Sequence, residues 1–225
     1  MKPLSLMLLV GLLAACQPSP ARQQKSSATS PEPEAEALAQ YGIDAARGVP
    51  EGLSVGEMAP DFSAFDDRGN VVHLAELRQQ GPVVLLFYRG HWCPVCNRYL
   101  SAFQDSLRYL TDQGAQVVAV TPETADLAEE MVAKHGLQFT VVSDSSYAIM
   151  EAYGVAFDVT DDYAGRVSRS GKNPGIAQFN ADTDGAARLP IPATYVIGTD
   201  GRIRWAHVNP DYRKRASVRD IAEAL

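Results

Sequence analysis

Cysteine, tryptophan and histidine are scarce in this chain: three, two and four residues among 225. So few thiols exclude a disulfide framework of the kind that staples small exported domains. A closed structural zinc site wants four ligands, usually as two close pairs, and only one close cysteine pair exists, Cys93 and Cys96. His73, His91, His135 and His207 are scattered; only His91 is near that pair, and three ligands within six residues would be crowded. An excess of positive charge is also missing. Twenty Lys and Arg stand against 27 Asp and Glu, a net charge of −7, which gives no reason to expect nucleic acid or an anionic membrane surface as partner. No internal repeat is visible, and beyond the N-terminus no apolar run is long enough to span a bilayer. What remains is 46% hydrophobic and 21% charged, the composition of one globular domain with appendages.

The N-terminus reads as a targeting segment. Lys2 is followed by an apolar run from Leu4 to Leu13 and then by small residues, too short and wrongly flanked for a membrane span. Residues 1–15 are therefore expected to be a signal peptide. Leu13-Ala14-Ala15-Cys16 resembles the lipobox of bacterial lipoproteins, which implies cleavage before Cys16 and a lipid on its sulfur. Gln17, rather than Asp, follows, and in a Gram-negative host this resembles the outer-membrane pattern. The chain is thus expected to be exported and anchored to the cell envelope by lipid alone. Residues 16–40 are rich in Pro, Ser, Gln, Ala and Glu and read as a disordered tether, with the folded domain over 41–225. Without residues 1–15 the charge is 19 − 27 = −8, because only Lys2 is lost. With Cys16 lipidated, Cys93 and Cys96 have only each other, and in an oxidising compartment they rest as a disulfide unless something reduces them.

The periodicities predict an α/β domain. A turn at Asp67-Arg68-Gly69-Asn70 introduces a hairpin strand, Asn70–Leu74. Pro82–Tyr88 is a continuous apolar run, the mark of a strand buried on both faces. Val95, Tyr99, Phe103, Leu107 and Leu110 then recur every three or four residues, predicting a helix from Pro94 to Leu110. Ala115–Val120 reads as a second buried strand, Thr121–Gly136 as a helix opened by Thr121, and Gln138–Asp144 as a third strand with a short helix near Tyr147–Tyr153. Ala193–Gly198 and Ile203–Val208 flank a Thr-Asp-Gly-Arg turn and read as a hairpin, and 213–225 reads as a helix. Residues 158–190 fit neither strand nor helix and read as an insertion, either a lid over the site or an idle loop. These elements give a central mixed β-sheet flanked by helices, with an N-terminal β-hairpin.

The helix that follows the first buried strand starts at Cys93-Pro94-Val95-Cys96, at the sheet edge where open α/β folds hold their sites. Cys93 is its expected N-cap and Pro94 its first residue. Unpaired N–H groups and the positive end of the helix dipole favour a thiolate there. Cys96 faces the same side one turn later, a spacing that suits a disulfide with Cα atoms ~5.5 Å apart. A redox pair is the favoured reading. Two ordinary packed cysteines, or a metal site, remain the alternatives.

Trp92-Cys93-Pro94-Val95-Cys96 resembles the thioredoxin active site, and Ile191–Trp205 resembles the segment where a cis-proline precedes a strand in that superfamily. The resemblance implies a thioredoxin-like fold in which Pro192 is that cis-proline, lies against the cysteines and offers the backbone of Ile191 to a substrate. Val55–Leu77, with Ala59-Pro60-Asp61-Phe62, resembles the opening of peroxiredoxins. Together with "FYRGHWCPVCNRYL" and "LPIPATYVIGTDGRIRWAHVNPDYRKR", these stretches resemble the peroxiredoxin-like alkyl hydroperoxide reductase/thiol-specific antioxidant family over about Leu53–Leu225.

That resemblance implies a thiol peroxidase that needs no cofactor or metal, takes a hydroperoxide and is regenerated by a thioredoxin-like or small-thiol reductant. The family carries Pro seven residues, and Thr or Ser three residues, before its peroxidatic cysteine. If Cys96 is that cysteine, Arg89 and Cys93 occupy those positions. Arg89 then either lowers a thiol pKa or is a solvated loop cation. The thioredoxin likeness makes Cys93 the nucleophile, the peroxiredoxin likeness Cys96, and both routes pass through a Cys93–Cys96 disulfide. Thiol–disulfide exchange on exported proteins is the second function compatible with these residues, and a thioredoxin-fold copper chaperone the third.

Overall fold

The run Val83–Phe87 forms the central strand of the sheet in a computed structural model, which describes residues 35–169 and 187–225. Among the described residues the main sheet has five strands in the order β5-β4-β3-β8-β9. Here β3 is Val83–Phe87, β4 Gln116–Thr121, β5 Thr140–Ser143, β8 Ala193–Ile197 and β9 Ile203–Val208. β3, β4 and β5 run parallel, while β8 pairs antiparallel with both β3 and β9. This is the expected mixed α/β sheet. Its alternation is strict: Val84 and Leu86 join one core, Val83, Leu85 and Phe87 the other, and all five are essentially solvent-free.

Two small antiparallel ladders lie beside the main sheet. One pairs β1 (Ser63–Phe65) with β2 (Val71–His73), the expected N-terminal hairpin. The other pairs β6 (Ala156–Asp158) with β7 (Arg188–Pro190). The parallel crossover from β3 to β4 carries α3 (Pro94–Asp105) and α4 (Arg108–Thr111). The single helix expected over Pro94–Leu110 is thus broken at Ser106 and Leu107. On α3, Cys96, Leu100 and Phe103 share the buried stripe at i, i+4 and i+7, so the second cysteine is held by the same packing as the core.

Four other expectations differ from the structure. Residues 35–40, assigned to the tether, form α1 (Ala35–Gln40), whose Leu38 is buried; residues 1–34, with the expected signal peptide and Cys16, lie outside the described residues. The helix expected from Thr121 is α5 (Ala125–His135): Thr121 completes β4, and Thr124 takes the N-cap position. The C-terminal helix is only α8 (Val218–Glu223), capped by Ser217, whose Oγ accepts from the Asp220 N–H. Residues 209–216 before it form an arm tied to the Pro192 carbonyl through the Asn209 N–H, to the Phe87 carbonyl through Arg215 and to the Tyr99 hydroxyl through the Ala216 carbonyl. Finally, the supposed insertion contains α7 (Asp161–Arg169) and β7, which pairs with β6 at its start, with 170–186 outside the described residues. α2 (Leu74–Gln80) and α6 (Ala148–Ala152) complete the helices described.

Candidate active site

β3 ends at Phe87, and after a six-residue loop the chain enters α3 at Pro94, so the first turn of that helix stands at the carboxyl ends of β3 and β4. Cys93 is the N-cap: its Sγ accepts from the Cys96 N–H at 3.3 Å, with Pro94 at the first helical position. The two sulfurs stand 2.6 Å apart as free thiols, and both are buried. Spacing and cap match the sequence reading.

Either sulfur could donate across this contact, and the charges around it decide which does. Arg215 Nη2 is 3.3 Å from Cys96 Sγ. Burial alone would raise the Cys96 thiol pKa. The hydrogen bond from Cys93 and the positive charges of Arg215 and Arg89 outweigh it, lowering Cys96 from an ordinary 9.0 to about 6. Cys93 is pushed well up, first by its hydrogen bond to Cys96 and then by burial. The pair is therefore poised as a Cys96 thiolate that accepts a proton bond from the Cys93 thiol.

Arg215 comes from the C-terminal arm. Its Nε donates to the Tyr212 carbonyl at 2.8 Å, its Nη1 to the Phe87 carbonyl at 3.4 Å, and its guanidinium lies 5.2 Å from the Tyr99 ring centre. Sequence reasoning missed it. The only signal was the cationic run Arg213-Lys214-Arg215, which does not say which member turns inward.

Of the two roles open to Arg89 from the sequence, thiol-stabilising cation or solvated one, the structure excludes the second. It is 2% exposed and stands among three aromatic rings, 4.3 Å from the centre of Tyr212, 5.0 Å from Tyr163 and 5.2 Å from Trp92. Its Nη2 also donates to the Tyr163 hydroxyl. A charge so enclosed is a fixed part of the site. Tyr163 belongs to α7, so the segment read as an insertion supplies one wall of this box.

The loop between β3 and α3 is fastened by Glu123, a fully buried carboxylate that no local pattern singles out. Its Oε2 accepts the His91 N–H at 2.7 Å, and its Oε1 pairs with His91 Nδ1 at 2.6 Å. That bond raises the His91 pKa against the opposing effect of burial. Gly90 sits at φ +138°, where a Cβ would come within 2.5 Å of Trp92 Nε1 and 2.7 Å of Glu123. Its carbonyl accepts the Cys93 N–H at 3.1 Å, so the loop delivers Cys93 to its cap.

Pro192 and Ile191 do not have the arrangement the thioredoxin likeness implied. No described peptide bond is cis, so Ile191–Pro192 is trans. The Ile191 N–H is already bonded to the Val155 carbonyl at 2.8 Å and its side chain is buried, so its backbone donor is not open to a substrate. The β6–β7 ladder keeps the chain extended through Pro190 and directly into β8. His73 bonds Ser63 Oγ, and His207 stacks on Trp205 with its Nε2 3.4 Å from the Lys214 carbonyl. Among the described residues no group of three or more His, Cys, Asp and Glu side chains is arranged to hold a metal.

A groove of about 700 Å³ opens beside this centre, floored by Val95, Tyr99 and Phe103 and edged by Arg98, Arg213 and Arg215.

Residues 55–206 match the model of the AhpC/TSA family. A chloroplastic peroxiredoxin Q of Oryza sativa subsp. japonica is 30% identical over 167 residues, which cover 73% of this chain and 76% of the relative. Among solved structures, peroxidoxin BcpB of Mycobacterium tuberculosis superposes with a TM-score of 0.58 at 19% identity, over 76% of this chain and 95% of the other. A peroxiredoxin-like protein of Aquifex aeolicus gives 0.57 at 17% identity, over 78% and 87%. The two structures share the fold; Tyr212, Arg213 and Arg215 lie beyond the residues the family model matches.

Proposed function

The chain belongs to the AhpC/TSA family and is a thiol peroxidase, and from that premise we propose that its reaction begins at Cys96 and is resolved by Cys93. The observation that carries this reading is Arg215 Nη2 at 3.3 Å from Cys96 Sγ, with the Cys93 sulfur 2.6 Å away on its other side. The Cys96 thiolate attacks the terminal oxygen of a hydroperoxide. An S–O bond forms, the O–O bond breaks, and the departing alkoxide or hydroxide takes a proton from solvent to leave as alcohol or water. Cys96 is now a sulfenic acid. The Cys93 sulfur attacks it, the Cys93 proton and the sulfenic hydroxyl leave as water, and the Cys93–Cys96 disulfide results.

Reduction follows the same electrostatics. In thiol–disulfide exchange the sulfur of lower pKa leaves more readily. Cys96 is that sulfur, so an external thioredoxin-like or small thiol attacks Cys93 and releases the Cys96 thiolate. No cofactor enters either half of the cycle.

Trapping separates the cysteines. Peroxide-treated Cys93→Ser protein is expected to accumulate a sulfenate on Cys96 that dimedone captures, and Cys96→Ser protein to lose rapid oxidation. A fast sulfenate on Cys93 in the Cys96→Ser protein would reverse the assignment.

The sequence supports a further proposal on location: a lipid on Cys16 holds the enzyme at the bacterial envelope. Expression with Cys16→Ser should move the protein from the membrane to the soluble fraction, and the mature N-terminus should weigh a lipidated cysteine. An unchanged distribution would refute it.

A further inference from the structure

Neither arginine that bears on Cys96 is held by the sheet alone. Arg215 is fixed through the Tyr212 carbonyl, and the Tyr212 ring is packed edge-on against Tyr41 with 5.7 Å between centres. Arg213, two residues before Arg215, donates from Nη2 to the Tyr41 hydroxyl at 2.8 Å and stands 5.4 Å from the Tyr41 ring centre. Asp211 completes this hold with two bonds to the same guanidinium, at 2.7 and 2.9 Å. Gly42 adjoins the other arm. At φ +88°, a Cβ there would meet Tyr163 Cγ at 2.8 Å, so the Tyr163 ring that backs Arg89 rests on bare backbone. The Gly42 carbonyl also accepts the Thr160 N–H at 3.0 Å, tying α7 to the same point.

Tyr41 and Gly42 lie before the family-matched residues, and Tyr212 to Arg215 after them. We propose that Tyr41 is a positioning residue for Arg215, so that an N-terminal segment outside the family core sets the reactivity of the Cys96 thiolate. The inference rests on Cys96 being the nucleophile. Tyr41 touches neither sulfur in the described contacts; it acts by holding Tyr212 and Arg213, which hold Arg215. Through these two contacts Tyr41 governs where the Arg215 charge stands.

A double-mutant cycle tests this in the full chain, reading the pH midpoint of Cys96 alkylation in Cys93→Ser protein. Arg215→Gln is expected to raise the midpoint by roughly one unit or more, the effect of removing a cation in contact with the thiolate. Tyr41→Ala is expected to raise it by roughly half that, and to add nothing in the Arg215→Gln background. Tyr41→Phe keeps the ring under Tyr212 and should recover most of the shift. If Tyr41→Ala does not fold, Arg213→Gln, an exposed side chain, carries the same test through the other half of the Tyr41 contact. Additive shifts, or no shift from either Tyr41→Ala or Arg213→Gln while Arg215→Gln slows the thiol, would overturn the inference. An Arg215→Gln protein with an unchanged Cys96 midpoint would overturn the inference at its first link, while failure of the Cys96 assignment itself shows separately, as a fast sulfenate on Cys93 in Cys96→Ser protein.

Discussion

Cys96 is buried, yet its thiol is more acidic than a free one, because two guanidiniums and a neighbouring thiol outweigh desolvation. The sign of the pH response follows. The folded value, about 6, is below the ordinary 9.0, so the thiolate is present above about pH 6 and is lost as pH falls through it. Iodoacetamide should therefore alkylate Cys96 in reduced protein with a midpoint near that value, and activity should fall on the acid side; a midpoint near 9 would remove the electrostatic basis of the mechanism. By the same linkage, the Cys96 thiolate's contribution to stability is present above pH 9 and is lost as pH falls through 6. The cap at Cys93 was legible because a cysteine before proline at the end of an apolar strand is a local pattern. The partners of Cys96 were not. Arg215 is 119 residues away, and no local periodicity distinguishes an arginine that turns onto a sulfur from one in water. Gly90 offers a second residue-scale prediction. Gly90→Ala has to move Trp92 or Glu123, and should cost about 1–3 kcal/mol in chemical unfolding while slowing Cys93–Cys96 disulfide formation after peroxide treatment. An unchanged rate of disulfide formation would show that the loop does not aim Cys93.

At the scale of elements, α3 carries both chemistry and core. Phe103 is buried against Phe139 at 5.7 Å between ring centres, on the stripe that contains Cys96. Phe103→Ala should cost about 3–5 kcal/mol in unfolding free energy. A loss below about 1 kcal/mol would mean that α3 is anchored from its arginine side instead. The strands and the hairpin β8–β9 were readable because alternation and Asp-Gly turns are local. The helix ends were less so. Thr121 looked like a helix start, but its β-branched side chain instead completes β4, and the start moved to Thr124 once Glu123 turned inward to His91. Residues 213–216 of the arm, Arg-Lys-Arg-Ala, are helix formers. The arm's conformation is set by contacts to Tyr41, Phe87 and Cys96, which override propensity.

Over the whole molecule the charge is −7, while Arg98, Arg213 and Arg215 edge the groove beside Cys96. The local field therefore opposes the global one. Anionic iodoacetate should gain on neutral iodoacetamide as an alkylating agent at low ionic strength, and lose that advantage near 1 M salt, where the screening length is about 3 Å. A ratio independent of salt would show that the arginines on the groove do not steer anions. The fold around this site was legible from patterning. The wall that α7 gives Arg89 and the contacts of Tyr41 were not, since each matters through a side chain that reaches a residue far along the chain, as Tyr163 reaches Arg89 across 74 positions.

The Tyr41–Arg213 contact spans 172 positions, among the longest-range in the described structure. Loop-closure entropy has to be met before a contact of that separation rewards it. In refolding from denaturant, recovery of rapid Cys96 alkylation is therefore expected to report the meeting of the two ends of the domain, and with it the placing of Arg215 beside the thiol. The acidity of the thiol is in this sense a property of closure between distant parts of the chain, although both cysteines lie on one turn of one helix.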